Sequence, residues 1–215
     1  MKHYTHVIWD FNGTILDDVD VCIKSANRLL TAHQLAPIES VAQYRSVFGF
    51  PIVDYYRRLG FDFSVTPYAD LAVEWVAYYL EESRNARLYA DVAEVLARFS
   101  ALGVRQLILS ATELGMLERQ VSALGIRDRF DQLLGLENIQ AYSKEQIGIR
   151  WRSSHSDARP LLVGDTDHDA AVAAAMGIDC VLICQGHQSR AHLETCPSLG
   201  VFDSLGQMCR DWFFD

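Results

Sequence analysis

The sequence has no run of basic residues, and acidic side chains outnumber basic ones. Its 215 residues include 28 Asp and Glu against 19 Lys and Arg, which gives a formal net charge of −9. Proteins bind the backbones of nucleic acids mainly through clustered Lys and Arg side chains, which neutralise the phosphates. The charge therefore disfavours a nucleic-acid-binding role, and we expect no nucleic-acid partner.

Long apolar runs and a targeting segment are also missing from the sequence. Polar and apolar side chains alternate from Met1 to Asp10, whereas a secretory signal would place a basic start before an apolar block. No apolar run is long enough to span a bilayer. We therefore expect a soluble, cytoplasmic protein with no membrane partner.

The five cysteines are odd in number and include no CxxC pair. Such spacing indicates neither a disulfide framework nor a zinc ribbon. Cys180 and Cys184 flank an apolar run, so packing in a buried strand is the simpler interpretation, and a redox pair is the alternative. Reduced thiols agree with the expected cytoplasmic location.

Short β-branched runs alternate with helical segments over most of the chain, which is the pattern of parallel βα units. We predict strands over residues 5–11, 106–110, 132–136, 160–163 and 179–183. Capping residues and closing glycines predict helices over residues 91–101, 114–124 and 167–176. The sequence therefore predicts the α/β fold class, with a doubly wound parallel sheet.

Residues 16 to 87 break this alternation, because they show consecutive helical patterns and no convincing strand. The predicted helices are 18–32, 38–47, 52–59 and 66–83, with turns at Gly49, Pro51, Gly60 and Pro67. We therefore expect two domains, a core of residues 1–15 and 88–215 and a helical insertion of residues 16–87.

Polar residues follow the first two predicted strands of the core. The carboxyl ends of parallel strands meet at one edge of a sheet, where binding sites form. Asp10 ends the first strand, and a carboxylate in this place can attack phosphorus and form an aspartyl phosphate. Ser110 ends the second, where its hydroxyl and the backbone N–H of Ala111 can bind phosphoryl oxygens. A turn-forming serine is the alternative.

Lys144 is one of only three lysines, with Lys2 and Lys24, in a chain that otherwise uses arginine for positive charge. This choice suggests that a compact ammonium group is needed at position 144. An exposed residue in the first turn of a helix is the alternative interpretation.

Three carboxylates, those of Asp165, Asp167 and Asp169, follow the predicted strand 160–163. Carboxylates so close repel one another unless a hard cation such as Mg²⁺ binds between them. The alternative is that they are acids favoured in the first turn of a helix, and we keep that interpretation for Asp167.

In their order along the chain, these elements resemble the haloacid dehalogenase superfamily. The matching positions are residues 10–14 for its first motif, Ser110 for the second, Lys144 for the third, and Gly164–Asp165 with Asp169 for the fourth. The resemblance implies a Rossmann-like core with a helical C1 cap, which residues 16–87 match in position and size. Phe48–Pro51 and Leu88–Tyr89 resemble the phosphoglycolate-phosphatase-like branch.

This resemblance implies a Mg²⁺-dependent phosphatase of a small phosphorylated metabolite, and we expect a monomer or a homodimer. Asp10 would be the nucleophile and a metal ligand. The remaining implied roles are metal ligation by Asp165 and the Asn12 carbonyl, support of the metal by Asp169, and phosphoryl binding by Thr14, Ser110, Ala111 and Lys144. Lys144 would also neutralise charge during transfer.

Asn12 departs from the pattern, because the superfamily's phosphatases carry an Asp here that protonates the leaving alcohol and then activates water. An amide does neither, and losing a general acid typically costs ~10² to 10⁴-fold in rate. Three explanations stay open. The first is that the leaving group needs no proton, or that the substrate or a residue such as His187 or His168 supplies one. The second is a slow enzyme or a silent phosphate-binding regulator, and the third is an engineered substitution.

Substrate specificity would come from the helical insertion. Arg45, Arg57 and Arg58 are candidates to bind an anionic group of the substrate, and solvated surface arginines are the alternative. A packing face between helices is predicted by three aromatic residues one helical turn apart, Trp75, Tyr78 and Tyr79.

Overall fold

Eight strands and ten α-helices make up the computed structural model, which describes residues 4–139 and 143–213. The strands are β1 His6–Trp9, β2 Leu16–Asp17, β3 Arg87–Leu88, β4 Arg105–Glu113, β5 Gln132–Leu136, β6 Pro160–Gly164, β7 Asp179–Ile183 and β8 Val201–Phe202. The helices are α1 Val19–Ala32, α2 Val41–Val47, α3 Ile52–Arg58, α4 Tyr68–Glu82, α5 Val92–Ala101, α6 Leu114–Ala123, α7 Glu145–Ser154, α8 Asp167–Met176, α9 Arg190–Leu193 and α10 Leu205–Met208.

Six of the strands form one parallel sheet in the order β5–β4–β1–β6–β7–β8. All five predicted strands are present, and the predicted α/β class with a Rossmann-like sheet is confirmed. Strand β8 was not predicted, because two residues are too few to show a periodic pattern. The order places β1 between β4 and β6, so the loops that follow these three strands are neighbours.

Side chains of the sheet are apolar on both faces, as expected of parallel strands covered by helices on both sides. Successive residues of a strand point to opposite faces. Trp9 and Val163 therefore pack on one face with Phe99 of α5, whereas Ile8 and Leu162 pack on the other. The two layers bury all of β6 and β1 from Val7 onward, and they fix the positions of the carboxyl ends of both strands.

Helices α1 to α4 form a third apolar cluster of their own, in which aromatic residues such as Tyr44, Tyr56 and Tyr79 are buried. The predicted packing face is present, since Tyr79 is buried in this cluster and Trp75 and Tyr78 pack against it. We call α1–α4 the helical insertion.

The helical insertion is joined to the sheet by a short ribbon in which β2 pairs antiparallel with β3, with Leu16 opposite Leu88. The expectation of no strand between residues 16 and 87 is therefore wrong at its two ends, where each strand is too short to show alternation. The ribbon coincides with the expected domain boundaries, and the division into two domains remains a prediction.

The described residues include no helix that is long and apolar enough to cross a membrane. All five cysteines are free, and Cys180 is buried in β7.

Candidate active site

Asp10 lies where β1 ends, and its N–H donates to the carbonyl of Val163 on β6 at 2.8 Å. The chain then turns at Gly13, which has a positive φ of 73°. A Cβ atom at this position would lie 2.3 Å from Oδ2 of Asp165, so only glycine allows the two loops to approach so closely. The turn therefore brings the first and fourth predicted motifs together.

Lys144 precedes α7, and its side chain is only 2% exposed. Its ammonium group donates to Oδ1 of Asp10 and, at 2.9 Å, to the carbonyl of Leu109, and it pairs with Oδ1 of Asp169 at 2.7 Å. Although burial disfavours the charge, the carboxylates of Asp10 and Asp169 raise the pKa of Lys144. The alternative of an exposed helical residue is therefore wrong.

Asp10, Asp165 and Asp169 each place a carboxylate oxygen within 4.8 Å of the others. Burial raises the pKa of Asp10 above its usual range even though Lys144 opposes this, and burial raises the pKa of Asp165 to about 6. Three carboxylates share a buried space with one ammonium group. The arrangement therefore carries an excess of negative charge.

Asp169 also holds the start of α8. Its Oδ2 accepts from the N–H of Thr166 at 3.0 Å while its own N–H donates to the hydroxyl oxygen of Thr166 at 3.3 Å, which forms a capping box. The interpretation of Asp169 as an acid of the first helical turn is therefore correct, and its support of a metal stays a prediction. Asp167 turns away instead and bonds Gln188 at 2.9 Å and His192 at 3.1 Å, as expected for an acid outside the cluster.

The predicted phosphoryl-binding residues lie beside Asp10. Ser110 is 1% exposed, and its Oγ accepts from the N–H of Thr112 at 3.1 Å, which leaves the hydroxyl proton available. The hydroxyl of Thr14 donates to Oδ1 of Asp165 at 2.9 Å, so in this arrangement Thr14 orients a carboxylate. Ser110 and Ala111 both line the cavity described below.

Asn12 uses its whole amide in hydrogen bonds within the protein. Its Nδ2 donates to Oδ2 of Asp18 at 2.6 Å and to the hydroxyl of Tyr79 at 2.8 Å. Its Oδ1 accepts from the hydroxyl of Thr112 at 2.9 Å. An amide is needed here, because the same side chain both donates to a carboxylate and accepts from a hydroxyl.

A single cavity of about 140 Å³ joins these residues to the helical insertion. Asp10, Asn12, Ser110 and Lys144 line it together with residues of the insertion, including Tyr79. Since Trp75 also lines the cavity, the assignment of these aromatic residues to packing alone is incomplete.

Comparison with known families identifies the family of this chain. Residues 7–183 match the model of the haloacid dehalogenase-like hydrolase family. The chain belongs to this family.

Similar proteins cover nearly the whole of this hydrolase. A phosphoglycolate phosphatase from Rhodospirillum rubrum is 24% identical over 217 residues, which cover 96% of this chain and 89% of the relative. A haloacid dehalogenase-like hydrolase from Streptococcus pneumoniae superposes with a TM-score of 0.83 at 17% identity, covering 98% of this chain and 99% of that one. Mycobacterium tuberculosis protein tyrosine kinase A gives a TM-score of 0.79 at 20% identity, covering 98% of both chains. These structural likenesses show the fold.

Asp18 is a residue of this hydrolase that sequence reasoning assigned only to the start of a helix. It is fully buried and accepts from the N–H of Gly13 at 2.9 Å, from Asn12 and from Tyr79 at 2.9 Å. Although burial opposes the charge, hydrogen bonding to His187 lowers the pKa of Asp18. Asn12 and Gly13 are near Asp18 in sequence, but Tyr79 and His187 are distant, so no local pattern shows that these groups meet at Asp18.

The two histidines proposed as proton donors differ in charge. Burial, followed by the nearby Lys144, lowers the pKa of His168 to about 4, so its ring is neutral near pH 7. His187 faces Asp18 at 3.4 Å and Tyr44 at 2.9 Å through its two ring nitrogens. Burial opposes its charge, but Asp18 raises its pKa to about 9. His187 is therefore charged and held at both nitrogens.

The three candidate arginines lie outside the cavity lining of this hydrolase. Arg45 donates to the carbonyls of Gln185 at 2.7 Å and Gly186 at 2.9 Å. Arg58 donates to a backbone carbonyl of the insertion, and Arg57 pairs with an acid on its own helix. The expectation that they bind an anionic substrate group is therefore not supported, because backbone and surface partners occupy their guanidinium groups.

The charged state of His187 predicts how the stability of this hydrolase depends on pH when EDTA keeps it free of metal. Because folding raises the pKa from 6.5 to about 9, this stabilisation is complete below pH 6.5 and is lost as the pH rises through 9. The loss is on the order of 3 kcal/mol in the free energy of unfolding. Urea unfolding across this range should show a shallower pH dependence for His187→Gln.

The matched control is His192→Gln, since His192 is half-exposed and pairs only with Asp167 at the surface. The control should keep the pH dependence of the unmutated protein. Equal slopes for all three proteins would contradict a charged, buried His187.

Proposed function

We propose that this hydrolase is a Mg²⁺-dependent phosphatase of a small phosphorylated metabolite that works through an aspartyl phosphate on Asp10. The observation that carries the proposal is the carboxylate of Asp10, which lines the cavity and is paired with the buried Lys144 beside Asp165. The phosphoglycolate phosphatase of R. rubrum, which is similar along nearly its whole length, supports phosphate-ester hydrolysis.

The residues present fit a divalent cation. Burial raises the pKa of both Asp10 and Asp165, so a cation that favours their charged forms would relieve an unfavourable arrangement. Carboxylate and carbonyl oxygens are the ligands that Mg²⁺ prefers. Asp10, Asp165 and the carbonyl of Asn12 would hold the ion, and Asp169 would act through Lys144. Bound Mg²⁺ would offset the charge of the phosphoryl oxygens.

In the proposed reaction, a carboxylate oxygen of Asp10 attacks phosphorus, and the P–O bond to the leaving group breaks with its electron pair on the departing oxygen. Water then attacks the same phosphorus, and the P–O bond to Asp10 breaks, which releases inorganic phosphate and restores the carboxylate. Lys144, the hydroxyl of Ser110 and the N–H of Ala111 stabilise the transferring phosphoryl group by charge and hydrogen bonds.

The helical insertion acts in this proposal as a C1 cap that keeps bulk water from the phosphoenzyme. Contacts between the insertion and the sheet loops support a closed arrangement. Arg45 binds two carbonyls of the loop after β7, the hydroxyl of Tyr44 contacts His187, and Tyr79 contacts Asn12. The last two contacts lie at the cavity, because Tyr44, His187, Tyr79 and Asn12 all line it.

Release of inorganic phosphate from a panel of phosphomonoesters and acyl phosphates tests the proposed function. We expect turnover with Mg²⁺, none with EDTA, and a loss in Asp10→Asn of about 10⁴-fold or more, because the attacking group is gone. Asp128→Asn, which changes an exposed acid, is the matched control and should keep full activity.

Metal-independent turnover, or turnover that survives Asp10→Asn, would contradict the proposal of a Mg²⁺-dependent phosphatase that works through Asp10. Tight Mg²⁺-dependent binding of phosphate without turnover would favour the second candidate, a catalytically silent regulatory module, which the amide at Asn12 favours.

The contact between Asn12 and Asp18 determines which substitutions can restore a general acid at position 12. The amide of Asn12 now donates to the carboxylate of Asp18 at 2.6 Å. In Asn12→Asp two carboxylates would face each other there, and their repulsion would hinder both folding and catalysis. We expect the double variant Asn12→Asp/Asp18→Asn, which exchanges the two side chains, to turn over alkyl phosphates about 10² to 10⁴-fold faster than the unmutated protein.

The single variants are the controls. Asn12→Asp should gain less activity than the double variant, and Asp18→Asn should gain none. Equal gains in the single and double variants would show that Asp18 does not constrain residue 12.

A further inference from the structure

The helical insertion gives the cavity beside Asp10 an aromatic wall without charge. Among its lining residues are Tyr44, Phe48, Tyr55, Tyr56, Tyr68 and Trp75. Of the described residues that line the cavity, those from the insertion include no Lys, Arg, Asp or Glu. The part of a substrate that contacts this wall is therefore apolar.

Positive charges elsewhere around the cavity are already paired. Lys144 contacts Asp10 and Asp169, and His187 faces Asp18. A carboxylate on the leaving group would lose its water here without gaining a cationic partner, which is strongly unfavourable. The cavity therefore disfavours substrates such as phosphoglycolate, whose leaving group is charged.

The size of the cavity limits the leaving group further. A volume of about 140 Å³ is close to that of engineered apolar cavities of about 150 Å³ that bind benzene. Because the cavity also reaches Asp10 and Lys144, it must hold the phosphoryl group as well, so the leaving group can be at most about one ring and a nucleoside does not fit.

The amide of Asn12 leads independently to the same chemistry. It cannot protonate a leaving group, so the leaving oxygen must depart as an anion. Phenols ionise near pKa 10, as in the tyrosine side chain, whereas water ionises at about 15.7. A phenolate is therefore a far better leaving group than an aliphatic alkoxide, and its loss needs no general acid.

We infer that the substrate is a phosphate monoester of a phenol with one uncharged aromatic ring. The inference rests on the proposed function. Asp10 forms the bond to phosphorus as the P–O bond to the aryl oxygen breaks, the phenolate leaves with the electron pair and takes a proton from water, and a second water releases phosphate from Asp10. The ring lies against the aromatic wall.

Four substrates separate the effect of the ring from that of the leaving group, when each is assayed with Mg²⁺. Phenyl phosphate has a ring and a good leaving group, benzyl phosphate a ring and a poor one, acetyl phosphate no ring and a good one, and phosphoglycolate a charged group and a poor one. We expect KM to be about tenfold or more lower for the two ring substrates. We expect kcat to be about 10²-fold or more higher for phenyl than for benzyl phosphate.

Two variants of α4 locate the ring. Val76 lines the cavity, so Val76→Arg should raise KM for phenyl phosphate about tenfold or more while lowering it for phosphoglycolate. Val73→Arg places the same charge on the exposed face of the same helix and should leave both values within about twofold.

Binding of phosphonates, which cannot be hydrolysed, keeps the inference testable if turnover fails. Tighter binding of phenylphosphonate than of phosphonoacetate by calorimetry with Mg²⁺ supports an aromatic substrate even in a silent protein, in which case only the proposed function fails. Preference for phosphonoacetate or phosphoglycolate, or binding of neither phosphonate, overturns the inference. Turnover of acetyl phosphate with a KM equal to that of phenyl phosphate also overturns it.

Discussion

The site depends on one buried ammonium group. Lys144 contacts Asp10 and Asp169 and the carbonyl of Leu109, so it ties the end of β1 and the middle of β4 to the start of α8. Removing one partner of a buried charge pair typically costs 3–5 kcal/mol, because the other charge is left uncompensated. The positions of the first, third and fourth sequence motifs are therefore coupled through a single side chain, and the sheet order that places β1 between β4 and β6 makes the coupling possible.

A second buried charge pair, between Asp18 and His187, lies directly beside the first. It connects the helical insertion to the sheet, because Asp18 precedes α1 and accepts from Tyr79 of α4, whereas His187 follows β7. Asn12 belongs to this pair's hydrogen-bond network. Asn12, which stands where an acid was expected, is thus part of a complete hydrogen-bond network. The same network closes the aromatic cavity above Asp10.

Much of this arrangement could be predicted from the sequence, because strand periodicity places Asp10, Ser110 and Asp165 at one edge of the sheet. Lys144 was identifiable from the rarity of lysine. Asp18 was not, since its partner Tyr79 is 61 residues away and an acid before a helix is commonplace. The cavity was hidden for a similar reason, because aromatic residues one helical turn apart look the same whether they face another helix or a substrate.

We propose that the excess of buried carboxylates binds a divalent cation. Calorimetric titration with Mg²⁺ at neutral pH is the direct measurement of this binding. We expect one saturable Mg²⁺ site that is lost in Asp165→Asn and retained in Asp167→Asn, because Asp167 turns away from the cluster. Absence of saturable binding, or binding that is unchanged in Asp165→Asn, would contradict it.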